Sequence, residues 1–281
     1  MSGNYVVGMV DRQGVETALE MAAAEGWNPG LSDAEAFYAA DPQGFLAVQS
    51  DGGIAGTIAA VVYGGSHAFL GLFIVKKEFR GRGIGRALWE AALRRTGALC
   101  TGLDAVTAME GVYARHAFRA AYRSIRYLAR SEAGAQRPGI VPLGRVPFAK
   151  IDAFDRTQFP GPRTMFLDAW VRTSGAHAFA ALRDGKVEGY GLVRPCRSGW
   201  KIGPLFALSR STAEDLLAAL LASVPPGEDV SLDVPLANAA AAAIAVEHRM
   251  QPVFETVRMY RGGAPATEVS GVYGVTSFEL G

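Results

Sequence analysis

The sequence predicts an α/β protein of two similar domains in tandem. Three observations carry that reading: strand-like and helix-like segments alternate through the first half, Asp-Gly turns join strand pairs in both halves, and the second half repeats the first at a shift of 132 residues. At 281 residues the chain is long for one small domain and suits two of middling size.

"YVVGMV" at residues 5–10 has the composition of a strand, and residues 13–25 then place Val15, Leu19 and Ala22 at helical spacing. "GWNPG" breaks that pattern, and "LSDAEAFYAADP" reads as a short helix inside the loop that follows. "FLAVQSDGGIAGTIAAVVYGG" predicts a hairpin turning at Asp51-Gly52, a dipeptide that tolerates positive φ. "HAFLGLFIV" is a nearly continuous apolar run, hence a strand buried on both faces. A basic, glycine-rich turn follows, after which Ile84, Leu88 and Ala91 or Ala92 fall on one face of a helix closed by Gly97. A strand near "TGLDAV", a helix from about Met109 to His116 and the long strand "FRAAYRSIRYLAR" complete this half. Residues 131–146, "SEAGAQRPGIVPLGRV", are rich in Gly, Pro and small residues and predict a linker between domains 1–130 and 147–281.

The repeat is imperfect but runs through several elements. "FRAAYRSIRYLAR" from Phe118 lies over "MQPVFETVRMYRG" from Met250, so that Tyr122/Phe254, Ile125/Val257 and Arg126/Arg258 coincide. Upstream, "LDAV" at Leu103 faces "LDVP" at Leu232, and "FLAVQSDGGIAG" resembles "FAALRDGKVEG", a hairpin turning at Asp184-Gly185. The closing "GVYGVTSFELG" reads as one further strand added at a sheet edge.

Composition narrows the function. A hydrophobic fraction of 49% with 20% charged residues describes an ordinary globular chain, and a net charge of +1 argues against a nucleic-acid or anionic-membrane grip over the whole surface. Cys100 and Cys196 stand far apart, so neither a disulfide framework nor a metal cluster is expected. "MSGNYVVGMVDRQG" lacks the marks of an export signal and no apolar run reaches the ~20 residues of a membrane span, so a cytoplasmic protein with no membrane or nucleic-acid partner is expected. The positive charge is local: from Lys76 to Arg95 there are seven basic residues and two acidic ones.

That basic stretch surrounds "RGRGIG", a turn between a buried strand and a helix. The first N–H groups of a helix lack intrahelical partners, and its dipole adds about half a positive charge there. Gly81, Gly83 and Gly85 let backbone approach a bulky anion, while Arg80, Arg82 and Arg86 attract it, so a diphosphate is the natural guest. No Lys-Ser or Lys-Thr completes a P-loop, and a dinucleotide fingerprint counted from Gly81 fails because Arg86 stands where its third glycine belongs.

Arg80-Gly81-Arg82-Gly83-Ile84-Gly85 does match Arg-x-x-Gly-x-Gly, and "FIVKKEFRGRGIGRALWEAAL" resembles the acetyl-CoA pyrophosphate loop of the GNAT superfamily of N-acyltransferases. The resemblance covers residues 4–130, and the second half resembles a degenerate GNAT-like domain. It implies two mixed, mostly antiparallel twisted sheets flanked by helices, and acetyl-CoA as acyl donor without a metal. It also implies a cofactor site at Phe73, Ile74, Val75 and residues 80–86, where the end of the strand pairs with the pantetheine arm. Tyr113, in "VYARHAF", matches the family tyrosine that protonates the departing thiolate; its alternative is a packed aromatic beside Val112. Ala117 stands where the family often has Gly. The strand "AFLGLFIV" lacks the acid that family members often carry, which leaves a water chain or an acid of the "GWNPGLSDAEAFYAADP" loop, Asp33 or Glu35, as the candidate base, although "SDAE" serves equally as a helix start signal. Trp27 and Phe37 are candidate acceptor-pocket residues, and Asp233 is a candidate contact from the second half. That half has "FALSRSTAEDLLAAL" opposite the glycine turn and Ala245 opposite Tyr113, so a single active site is expected. The expected activity is direct acetyl transfer to a primary amine, on a small molecule or a protein. A non-catalytic acyl-CoA sensor is the alternative, and a homodimer is compatible with either.

Overall fold

Asp11 starts the first helix by accepting a hydrogen bond from the Gly14 N–H, and Val15, Ala18, Leu19 and Ala22 then recur at the spacing that buries one face. In this computed structural model, which describes residues 5–132, 134 and 137–281, that helix is α1 (Arg12–Ala24) and follows β1 (Val7–Met9). The first half continues with α2 (Asp33–Ala40), β2 (Phe45–Ser50), β3 (Gly53–Tyr63), β4 (His67–Val75), α3 (Ile84–Thr96), β5 (Cys100–Val106), α4 (Glu110–Ala114) and β6 (Arg119–Arg130). The second half comprises β7 (Ile140–Pro142), α5 (Phe148–Gln158), α6 (Thr164–Trp170), β8 (His177–Arg183), β9 (Lys186–Pro195) and β10 (Trp200–Ala207). It ends with α7 (Arg210–Ala222), β11 (Asp229–Pro235), α8 (Ala239–Glu247), β12 (Gln251–Arg261) and β13 (Val272–Gly274). Both expected hairpins, β2–β3 and β8–β9, are antiparallel pairs.

The halves do not form separate sheets. One sheet runs β1-β2-β3-β4-β5-β12-β6-β11-β10-β9-β8-β7, so the last long strand of each half has crossed into the other. β12 lies between β5 and β6, and β6 pairs on its far side with β11. Two buried ion pairs lock the exchange. Arg126 on β6 donates from Nε and Nη2 to the Asp233 carboxylate on β11 at 2.6 and 2.8 Å, and Arg258 on β12 makes the same fork to Asp104 on β5 at 2.8 and 2.7 Å. In each case the two residues are cross-strand partners. The repeat explains the symmetry, since Arg126 aligns with Arg258 and Asp104 with Asp233; each arginine serves the aspartate of the opposite half.

Two sequence expectations are corrected here. The stretch 131–146 is more than a connection, because Ile140–Pro142 pairs with β8 and closes the outer edge of the sheet; residues 133, 135 and 136 lie outside the described residues. The closing segment does not add to an edge. β10 and β11 run parallel from Trp200↔Val230 to Ile202↔Leu232 and then separate, and β13 enters the gap, pairing with β10, while the Val275 N–H reaches the Asp233 carbonyl. Tyr273, Val275 and Leu280 are buried there, so apolar burial, rather than edge pairing, holds the segment.

Asp104→Ala leaves the Arg258 guanidinium buried without its counter-charge, and urea unfolding is expected to register a loss of about 3–5 kcal/mol. Adding Arg258→Met, which removes the stranded charge, should recover a large part of that loss.

Candidate functional site

β4 and β5 run parallel from His67↔Cys100 to Leu70↔Leu103 and then part, and unlike the gap between β10 and β11 this one is open. The parting is built into β4. Leu72 takes φ +46°, its carbonyl accepts from Thr57 Oγ1 at 2.8 Å, and the register to β3 shifts at that point. Such a bulge bends the strand and stores strain of order 1–3 kcal/mol, which the burial of Leu72 holds in place. From Gly71 onward β4 has no strand beside it on the β5 side. A cavity of about 780 Å³ fills the gap; it is lined by Leu70 to Val75 and Tyr113 and extends to Arg126 and Trp200 of the second half.

At one end the cavity reaches Arg80, where the glycine turn begins. Gly81 and Gly83 take φ +74° and +91°, which side chains resist, and Gly83 is the residue before α3. No side chain caps that helix, and the N–H groups of Gly83 to Arg86 have no acceptor among the described residues. The equivalent helix of the second half, α7, is capped by Ser209, whose side chain accepts from the Thr212 N–H. One helix start is therefore open to an anion and the other is closed.

The remaining cofactor candidates divide by what their side chains do. Gly85 has an ordinary φ and sits over Phe73 and Val75, where a Cβ would make only ordinary contacts, so neither a turn nor packing requires glycine there. Ile84 is buried in the core and offers only its backbone. Arg80 is committed within the protein, donating from Nε to the Val75 carbonyl at 2.8 Å and from Nη2 to Glu25 at 2.6 Å. Arg82 lies 5.5 Å from the Phe79 ring centroid, and exposed Arg86 pairs with Glu90. Phe73, Ile74 and Val75 line the cavity from the open stretch of β4.

Tyr113 also lines the cavity, between the Trp89 and Phe118 rings, and its hydroxyl has no partner among the described residues. Burial pushes that hydroxyl up to about 12, so it is protonated at neutral pH. Ala117, four residues on, takes φ +64°, a conformation that suits the glycine often found there.

The structure corrects the base candidates. Asp33 is 1% exposed, accepts a bidentate hydrogen bond from Arg194 at 2.7 and 3.1 Å and another from the Gly30 N–H at 2.8 Å, and does not reach the cavity. A carboxylate so engaged holds the two halves together, and its burial away from the cavity keeps it from an amine there. Glu35 lies on the outer face of α2 near Arg12. Phe37 is fully buried against Trp170, away from the cavity. Asp233 stands behind Arg126 rather than in the cavity; burial pushes its carboxyl up, and the Arg126 guanidinium more than offsets this and holds it below the ordinary range. Trp27 does line the cavity, and its carbonyl accepts from Arg126 Nη1 at 3.1 Å. His67 is held down to about 4 by burial and by Arg258 nearby, and so is a neutral core residue.

The loop 27–33 that carries Trp27 is held by the second half. The Asn28 carbonyl accepts from Lys201 Nζ at 2.8 Å, its side chain exchanges two hydrogen bonds with Ser198, Gly30 bridges Cys196, and Asp33 holds Arg194. The second half thus builds one wall of the cavity and fixes the loop that forms another.

Glu279 completes the lining, and the sequence reading does not single it out. The closing segment runs from β13 across to β4, where the Glu279 carbonyl packs so tightly on Gly71 that a Cβ there would overlap it. Gly71, inside an otherwise apolar strand, is the one sequence signal of that approach.

Comparison with known proteins follows the same division. A model described as the acetyltransferase (GNAT) family matches residues 13–123, and one described as an acetyltransferase (GNAT) domain matches residues 151–274. The holothin acyltransferase of Pseudoalteromonas sp. (strain SANK 73390) is 29% identical over 264 residues, which cover 93% of this chain and 90% of that protein. Among solved structures, a Pyrococcus horikoshii protein described as a candidate acetyltransferase superposes with a TM-score of 0.83 at 25% identity, covering 98% of this chain and 95% of its own. A tandem GNAT protein from the clavulanic acid biosynthesis pathway has the same fold, with a TM-score of 0.63 at 17% identity over 93% of this chain and 99% of its own.

Gly71→Ala forces the backbone at Glu279 to move, and thermal unfolding is expected to show a loss of about 1–3 kcal/mol. Gly52→Ala, with open space around its missing Cβ, should change stability far less in the same measurement.

Proposed function

The chain belongs to the GNAT acetyltransferase family in its tandem form, and on that premise we propose that it transfers an acetyl group from acetyl-CoA directly to a primary amine. The coarser part, an acyltransferase, follows from the family; donor, acceptor and route are our reading. The observation that carries it is the asymmetry between the halves. The first keeps an uncapped helix start beside an open strand edge, whereas the second has a serine cap and a filled gap.

In this reading the free N–H groups before and in the first turn of α3 hold the diphosphate, with Arg82 and Arg86 adding charge. The pantetheine lies along β4 from Phe73 to Val75 and the thioester enters the gap between β4 and β5. The amine nitrogen attacks the thioester carbon, a C–N bond forms, and the C–S bond breaks. Tyr113 donates its proton to the departing thiolate and recovers one from the acylated nitrogen, which in the tetrahedral intermediate is far more acidic than a phenol. Similarity to a holothin acyltransferase supports a small-molecule acceptor over a protein. The cavity fits that choice, being a pocket walled by both halves rather than a groove across one face. Steady release of CoA with an amine present, against binding without turnover, separates this reading from an acyl-CoA sensor.

Gly83→Asp places a side chain at φ +91° and a negative charge at the helix start. Calorimetry should show acetyl-CoA binding weakened by at least about tenfold, and unchanged affinity would remove the diphosphate site from this turn. For Tyr113→Phe the expected result is a fall in kcat of about 10²-fold or more with acetyl-CoA affinity within about twofold of the wild type; an unaltered kcat would leave Tyr113 as a packing residue.

A further inference from the structure

Glu279 is 4% exposed, lines the cavity and has no hydrogen-bond or ion-pair partner among the described residues. The other deeply buried carboxylates do have one: Asp33 holds Arg194, Asp104 holds Arg258, Asp155 holds Arg163 and Asp233 holds Arg126. Leaving a carboxylate unpaired at such a depth costs several kcal/mol unless its surroundings supply positive potential. They do so here. Arg126 on β6, Arg194 on β9 and Lys201 on β10 act on Glu279 from different strands, against Asp104 on β5. Each cation is already committed: Arg126 to Asp233 and the Trp27 carbonyl, Arg194 to Asp33, and Lys201 to the Asn28 carbonyl. The oxygens of Glu279 are therefore left without a partner among the described residues and are free for a ligand.

Glu25, Asp104 and Asp229 also line the cavity but are paired with Arg80, Arg258 and Arg130, so Glu279 is the unpaired carboxylate of the lining among the described residues, and much of the rest is apolar. Trp27, Leu128, Trp200, Phe254 and Phe278 line it, and Val253 and Phe254, 54% and 37% exposed, stand as large apolar groups open to solvent. One free anion set among aromatic and aliphatic walls matches a cation carried on an apolar body. Its place over Gly71 matters as well, because that is where β4 leaves β5 and the thioester-binding gap begins.

We propose that Glu279 receives the ammonium group of an apolar primary amine and takes its proton, so that the closing segment supplies the base that β4 lacks. This rests on the acyl-transfer reading above. The steps balance. The ammonium gives one proton to the Glu279 carboxylate and becomes a neutral amine, which attacks the thioester. Tyr113 exchanges its proton between nitrogen and sulfur, and the products are an amide, CoA thiol and a protonated Glu279 that returns its proton to solvent.

The test compares wild type, Glu279→Gln and Glu279→Asp with acetyl-CoA and 2-phenylethylamine across pH 6.5 to 9.5 (about), reading kcat/KM for the amine and acetyl-CoA affinity separately. For Glu279→Gln the expected loss in kcat/KM near neutral pH is about 10²-fold or more, with acetyl-CoA affinity within about twofold of the wild type. That loss should shrink by about tenfold per pH unit as solvent, rather than the protein, deprotonates the amine. Glu279→Asp, which keeps the charge, should fall between the two. Three results overturn the proposal: unchanged kcat/KM in Glu279→Gln; a pH-independent loss matched by an equal loss of acetyl-CoA affinity, the mark of a structural role; or wild-type turnover of spermidine with none of 2-phenylethylamine. A wild-type protein that binds no acetyl-CoA removes the acyl-transfer reading itself, and the proposal with it.

Discussion

The two forked ion pairs across the middle of the sheet are the constraint on which the rest of the structure depends. Arg126 with Asp233 and Arg258 with Asp104 join strands that the exchange has brought together from opposite halves. Buried guanidinium–carboxylate pairs contribute little net stability compared with apolar packing, but a register slip that separated the partners would strand a charge in the interior. Their work is selection: they fix which strands pair and in which register. With β12 held between β5 and β6, the halves are no longer separable domains joined by a linker. The cavity wall contributed by the second half is as firmly placed as the strand contributed by the first.

Duplication leaves each half with the same weak point, a gap where two parallel strands diverge beyond their third or fourth paired residue. The chain treats the two gaps in opposite ways. Between β10 and β11 it inserts β13 and buries aromatic and aliphatic residues; between β4 and β5 it leaves room for a ligand and bends the strand with a bulge at Leu72. The helix starts beside the gaps follow suit, with Ser209 closing one and glycine leaving the other open. Closing the second gap is thus a gain in structure, because the segment that fills it continues across to β4 and carries Glu279 there.

How much of this the sequence discloses depends on the range of the interaction concerned. The glycine turn proposed to hold a diphosphate is local: its glycines, its strand and its helix lie within some twenty residues, and the physics of a helix start requires nothing from elsewhere. The hairpins and the repeat are legible for the same reason. A carboxylate's role is set by what faces it across the fold. Asp33 reads as a loop acid near an acceptor pocket because Arg194, 161 residues away, is invisible in one dimension. Glu279 sits in "TSFELG", a stretch with no pattern, and only the interruption of β4 by Gly71 hints that another backbone comes close. The strand exchange was within reach, since the repeat equates Arg126 with Arg258 and Asp104 with Asp233, yet equivalence alone does not say whether each arginine serves its own half or the other.

The charge count at the junction also bears on turnover. Arg126, Arg194, Lys201 and Arg258 stand against Asp33, Asp104, Asp233 and Glu279, four basic residues against four acidic ones. In the proposed reaction an arriving ammonium would add a fifth cation to a region where three of the acids are already bound to arginine, and Glu279 is the group left to meet it. Acylation would convert that ammonium into a neutral amide and remove the attraction that held it. Provided the proton on Glu279 escapes to solvent, the junction returns to balance with a product that no longer has a charge to anchor. The electrostatic frame therefore favours the substrate over the product without any part of the sheet having to move.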